Sequence, residues 1–122
     1  MQKLNELIDL VKICREKCPW CREQTIESFS LEILSEAKEL EEAIGKKNVK
    51  EIKEELGDLL WDVIMLMHIA EHNNLFSSDE VIKLVNEKMK RRKPYILKGE
   101  EVTLDQAMSI WKEQKLIEKR SK

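Results

Sequence analysis

The sequence predicts an all-α protein of 122 residues. Gly and Pro number only three and two, charged residues make up 38% of the chain, and apolar residues recur at helical spacing. Alternating strand patterns are nearly absent. This length suits a single compact domain, residues 1–122, with room for one site.

Each helix has its own signals. Leu4, Leu7, Ile8 and Val11 recur with helical period and predict a first helix that ends before CPWC, where Pro19 breaks the pattern. A second is expected from about Thr25 to Ile44, stopped by Gly45. Asn48 and Glu51, in capping-box spacing, open a third that reaches about His72 and closes at Asn73 and Asn74. Ser77 and Glu80 repeat that spacing for a fourth, ending before Pro94, and Thr103 with Gln106 opens a last helix carrying Trp111. There are no internal repeats and no low-complexity linker. The short connection between the second and third helices predicts an antiparallel hairpin.

A net charge of −2 gives the whole molecule no electrostatic reason to seek nucleic acid or acidic membranes. The start MQKLNELIDL is amphipathic and acidic, unlike a signal peptide, and no apolar run is long enough for a membrane span. A cytoplasmic location is the default expectation.

The hairpin is where carboxylates acquire a chemical role. Glu36 and Glu39 are three apart, as are Glu55 and Asp58, so each pair shares a helix face. Facing residues of an antiparallel hairpin have position numbers of constant sum, and Glu36 with Asp58 has the same sum as Glu39 with Glu55. Ile33, Leu40 and Ala43 share a face with Glu36, and Leu59, Met65 and Leu66 lie near that of Asp58, so the four acids are expected to border the core side. Carboxylates about 4 Å apart repel by roughly 4 kcal/mol at an effective dielectric of 20. Such a cage needs protons or cations, and oxygen ligands without Cys or His suit a hard divalent ion, Mg²⁺ first and Mn²⁺ second. Glu32 and Asp62 continue the register as support for the ligands or as further ligands. Gly57, costly inside a helix, fits a close approach beside the metal or plain helix packing. The competing reading, solvated salt-bridged helix charge, suits Glu41, Glu42, Lys46, Lys47 and Lys50 better.

Two other motifs are weaker. Cys18 and Cys21 form a CxxC with Cys14 four residues earlier, but a zinc site lacks a second pair and a redox site lacks a βαβ context, so free thiols are expected. His68, Glu71 and His72 spell an inverted zinc-protease motif with no evident third protein ligand. Trp20 and Gln24 read as loop anchors more than as a base pocket.

The blocks CPWCREQT, SEAKELEEAI, EELGDLL, NEKMKRRKPYI and WKEQK occur in this order. With them the chain resembles the MazG family of all-α nucleoside triphosphate pyrophosphohydrolases. The family signature, EExxE followed by ExxD, falls on Glu36, Glu39, Glu55 and Asp58 as metal-binding and catalytic acids. Ser35 replaces the first Glu of that signature at a position facing away from the acids, and Cys21 stands where the family commonly has Asp. The resemblance implies a four-helix-bundle-like MazG fold with an additional C-terminal helix, assembled as a homodimer or a dimer of dimers. It also implies Mg²⁺-dependent hydrolysis of a nucleoside triphosphate to the monophosphate and pyrophosphate.

Lys88, Arg91 and Arg92 lie three and four apart, a basic cluster able to grip polyphosphate or simply to answer a helix C-terminus. By the resemblance, Lys88 and Arg92 are the leading phosphate contacts, with Trp111 and Lys115 as helpers from the last helix. Trp111 alone reads more readily as a core anchor. Two alternatives remain: a non-catalytic helical interaction or regulatory module, and a dUTP- or dCTP-specific all-α pyrophosphatase.

Overall fold

A computed structural model describes residues 2–121; Met1 and Lys122, the end residues of the predicted domain, lie outside them. Every regular element among the described residues is helical: α1 (Gln2–Lys17), α2 (Pro19–Glu23), α3 (Ile26–Gly45), α4 (Val49–His72), α5 (Ser78–Arg92), α6 (Pro94–Lys98) and α7 (Leu104–Arg120). The five long helices are those the periodicity predicts. The short α2 and α6 are additions, and each begins on a proline that the sequence reading treats as a break. Proline does end the preceding helix, but its fixed φ and missing N–H also suit the first position of a new one.

The caps explain the remaining boundaries. Thr103 accepts from the Gln106 amide while the Gln106 side chain accepts from the Thr103 amide, the reciprocal box that opens α7. Asn48 accepts from the Glu51 amide at the start of α4. At the start of α3, Thr25 and Ser28 exchange the same pair of bonds, with Ser28 in the place usually taken by Glu or Gln. Asn74, at φ 57°, turns the chain out of α4 in the left-handed conformation that asparagine tolerates.

Contacts divide the chain into two compact units, Met1–Ser78 and Asp79–Lys122. In the first, α4 packs against α3 and α1, and α1 packs against α2. Its core is Val11, Cys21, Phe29, Ile64, Met65 and Ile69. The side chains of Val11, Phe29, Met65 and Ile69 are fully buried, each stabilising the unit by about 1.5–3 kcal/mol. Two polar residues share this interior, Arg15 and Asp62. Arg15 donates to the carbonyls of Cys21 and Gln24 and, through Nε, to His72 Nδ1 at 3.1 Å, so one guanidinium ties α1 to the turn ahead of α3 and to the end of α4.

In the second unit, α5 and α7 are joined by charge and ring contacts. Glu118 accepts from Arg92 through both oxygens, at 2.9 and 3.2 Å, and from Arg91 Nε at 3.1 Å. The Arg92 guanidinium lies 4.7 Å from the centre of the Trp111 ring, and Lys93 Nζ 5.4 Å from it. No helix of the described residues is long and apolar enough to cross a membrane.

Candidate metal centre

α3 and α4 are joined by only Lys46, Lys47 and Asn48, so the two helices must run back along each other. That return brings Glu36, Glu39 and Glu55 together, with one carboxylate oxygen from each lying within 4.8 Å of the others. A second group, Glu32, Glu36 and Asp62, meets the same limit and shares Glu36 with the first. Asp58 is in neither group, and acts on Glu36, Glu55 and Asp62 through its charge.

The acids do not all border the core. Glu36 and Glu55 are half-buried, whereas Glu39 and Asp58 are exposed. A step of three residues turns a helix by about 300°, which leaves successive acids roughly 60° apart around the axis, one toward the interior and one at the rim. Asp62, one turn beyond Asp58, is 6% exposed and is the deepest carboxylate of the set. Gly57 needs a different account from the one its position suggests. A Cβ built there meets nothing within 4 Å, so neither a close helix contact nor a crowded site within this chain explains the glycine.

Electrostatics mark the cluster as unfinished by protein atoms alone. Burial, followed by the charges of Glu39, Asp58, Asp62 and Glu55, pushes the Glu36 carboxyl up to about 7. Burial and the nearby Glu32 and Asp58 push Asp62 up to about 6, and burial with the adjacent Glu39 raises Glu55. Glu36 Oε2, Glu55 Oε2 and Asp62 Oδ2 are buried oxygens without a hydrogen-bond partner. Unpaired buried carboxylate oxygens are costly, and they are chemically the donors that a hard divalent cation takes. Oxygens on one octahedral Mg²⁺ stand at most about 4.2 Å apart, slightly inside the observed limit, so small side-chain movements bring three onto one ion. The residues present therefore fit a hard cation.

The sequence-predicted phosphate residues all lie in the second unit. Arg92 and Lys115 line one cavity of about 480 Å³ together with Lys112, Leu116, Glu118 and Lys119. Arg91 is drawn to Glu118, Lys88 is exposed, and Trp111 serves as the floor for Arg92 and Lys93. Glu118, held well below the usual carboxylate range at about 2 by Arg92 and Arg91, is the residue the sequence reading misses. A lone acid in the basic run IEKRSK looks like ordinary helix-end charge. Arg15 was hidden in the same way, as a cation in the last turn of α1.

The competing motifs resolve into structural roles. Glu71 accepts from the Ser78 amide and pairs with His68 at 3.5 Å, and His72 accepts from Arg15, so the three members of the HxxEH pattern are engaged within the first unit, where they tie the end of α4 to α1 and to Ser78. Gln24 donates to the Trp20 carbonyl and accepts from Ser28, as a loop anchor does.

Sequence and backbone comparisons identify relatives of this chain. Residues 24–97, which contain all of these acids, match the model of the MazG nucleotide pyrophosphohydrolase domain. A nucleoside triphosphate pyrophosphohydrolase of Mycolicibacterium smegmatis is 36% identical over 99% of this chain and 38% of its own length. The nucleoside triphosphate pyrophosphohydrolase/pyrophosphatase MazG of Thermotoga maritima is 41% identical over 75% of this chain and 36% of its own length. This chain thus spans under two-fifths of those curated relatives. The crystal structure of a mazG-related protein from Thermotoga maritima superposes with a TM-score of 0.85 at 32% identity, over 91% of this chain and 97% of that one. Acid-bearing helices, matched sequence and matched backbone lead to one family: the chain belongs to the MazG nucleotide pyrophosphohydrolase domain family.

Proposed function

We propose that the chain hydrolyses a nucleoside triphosphate, ribo or deoxy, to the monophosphate and pyrophosphate, with Mg²⁺, or Mn²⁺ in its place, as the required cation. The observation that carries this reading is the convergence of Glu36, Glu39 and Glu55, with an unpaired buried oxygen on Glu36 and on Glu55, in a chain that matches the family model across that segment. Glu36, Glu39 and Glu55 would hold the cation, with Asp58 beside them and Glu32 and Asp62 extending the set inward. The cation supplies Lewis acidity toward a phosphate oxygen and a lowered pKa for bound water. Glu39, the exposed member of its group, would accept a proton from an attacking water. Arg92 already grips a carboxylate with both arms of its fork, and the same geometry suits a phosphate; Lys88 and Lys115 would add charge for the departing pyrophosphate.

The setting is proposed as cytoplasmic, which three free cysteines support. A homodimer, or a dimer of dimers, is supported by the exposed Leu31 and Leu34 on α3 and Leu56, Leu60 and Val63 on α4, an apolar surface that a second copy would cover.

The test is product analysis. Purified chain incubated with each common and damaged triphosphate plus Mg²⁺ is expected to release monophosphate and pyrophosphate in equal amounts from at least one of them, resolved by chromatography. Diphosphate with orthophosphate would move the cleavage point and refute the reading, and no product from any nucleotide would favour a non-catalytic interaction module. Release from dUTP or dCTP alone would favour the deoxynucleotide-specific alternative.

A further inference from the structure

The thiol cluster of the first unit has no part in this chemistry. Cys14 lies in α1, Cys18 immediately ahead of α2 and Cys21 inside α2. The turn between the two helices folds their sulfurs onto one point. All three Sγ atoms lie within 4.8 Å of one another, and Cys14 Sγ and Cys21 Sγ are 3.0 Å apart. Cys21 belongs to the hydrophobic core, with Cys14 and Cys18 packed against it half-buried, so the arrangement is held by packing.

We propose that Cys14, Cys18 and Cys21 form a binding site for one thiophilic d¹⁰ cation of the Zn²⁺ class, separate from the carboxylate centre. Three sulfurs at about 2.3 Å from one zinc ion stand about 3.8–4.0 Å apart, inside the observed limit, so the Cys14–Cys21 pair opens by less than 1 Å to admit it. A 4Fe–4S cluster, which gives each cysteine its own iron, needs a wider triangle. Thiolates select zinc and copper(I) over the hard Mg²⁺ that the acids suit, so the two sites sort their metals by donor chemistry. The fourth position falls to solvent or to an added thiol. On binding, a divalent ion and three thiols yield one complex of charge −1 and release three protons to solvent. The Cys21 backbone amide holds the neighbouring Cys18 thiol below its ordinary range, whereas burial and the other two thiols push Cys21 up to about 12. Because the Cys21 carbonyl also rests on Arg15, an occupied site would fasten α1 to the segment leading into α3.

The test uses the full chain under a phosphine reductant, which prevents a Cys14–Cys21 disulfide. Titration with Cd²⁺ should produce an ultraviolet thiolate-to-metal band that saturates at one ion per chain with the intensity of three thiolates. Zn²⁺ should displace it. Cys18→Ser should weaken binding by roughly 100-fold or more, and Glu39→Gln should leave the band unchanged. Independently of any variant, Zn²⁺ should protect all three cysteines from alkylation, counted by mass spectrometry. A band worth two thiolates or fewer, a band indifferent to Cys18→Ser, or equal alkylation with and without Zn²⁺ would overturn the site.

Discussion

Glu39→Ala is expected to lower turnover by at least about a thousandfold while leaving the fold standing. Loss of one ligand at a metal-assisted phosphoryl transfer removes several kcal/mol of transition-state stabilisation, and each 1.36 kcal/mol is tenfold in rate. The fold should survive because Glu39 is exposed and sits among like charges. Its pairwise repulsion with a carboxylate lying within 4.8 Å is about 3 kcal/mol or more at an effective dielectric of 20, before screening by solvent reduces it. Removing it relieves the cluster without opening a cavity. Pyrophosphate release and thermal melting on the same preparation separate the two effects. Turnover within tenfold of the parent would remove Glu39 from the centre.

Arg15→Met is expected to lower stability by about 3 kcal/mol, and so to lower Tm by about 10 °C for a chain of this size. Methionine keeps much of the apolar stem but no donor. Arg15 is 5% exposed, and its loss takes a charged donor from the Gln24 carbonyl, from the Cys21 carbonyl, which keeps the Gln24 amide, and from Nδ1 of the exposed His72. Each hydrogen bond to a charged donor is worth about 1.5–3 kcal/mol, against which the variant recovers some of the cost of burying a charge. Chemical denaturation reads the difference. A loss below about 1 kcal/mol would mean that water replaces the guanidinium and that the three-way tie is not structural.

These two residues show where the sequence was legible. The meeting of Glu36, Glu39 and Glu55 was readable because it depends on local geometry alone, two helices and a three-residue connection, whereas Asp58, matched to Glu36 by the same position sum, joins neither group. Caps such as Thr103 with Gln106 were readable for the same reason, whereas Thr25 with Ser28 departs from the usual template and Pro19 and Pro94 open helices where they were read only as stops. Arg15 and Glu118 were invisible because their roles depend on partners 57 and 26 positions away, and nothing in a helix-end charge reveals such a partner. The thiols fall between these cases. Their spacing was seen, but a tight turn between α1 and α2 was needed to make three separate cysteines into one cluster.

A divalent cation is proposed to complete the α3–α4 acids, and melting of the chain at pH 8 with and without Mg²⁺ tests this most directly. Glu36, at about 7 in the folded chain against an ordinary 4.5, binds more protons folded than unfolded. Its contribution is therefore fully present below pH 4.5 and is lost as pH rises through about 7, to the extent of roughly 1 kcal/mol once solvent screening of this half-exposed group is allowed for. Asp62, at about 6, acts in the same direction. Saturating Mg²⁺ at a hundred times its Kd should add about 2.7 kcal/mol at pH 8, and far less at pH 5, where protons already occupy the cluster. Glu36→Gln should melt higher than the parent without metal and gain little from Mg²⁺. Identical melting of the parent chain at pH 8 with and without Mg²⁺ would contradict the claim.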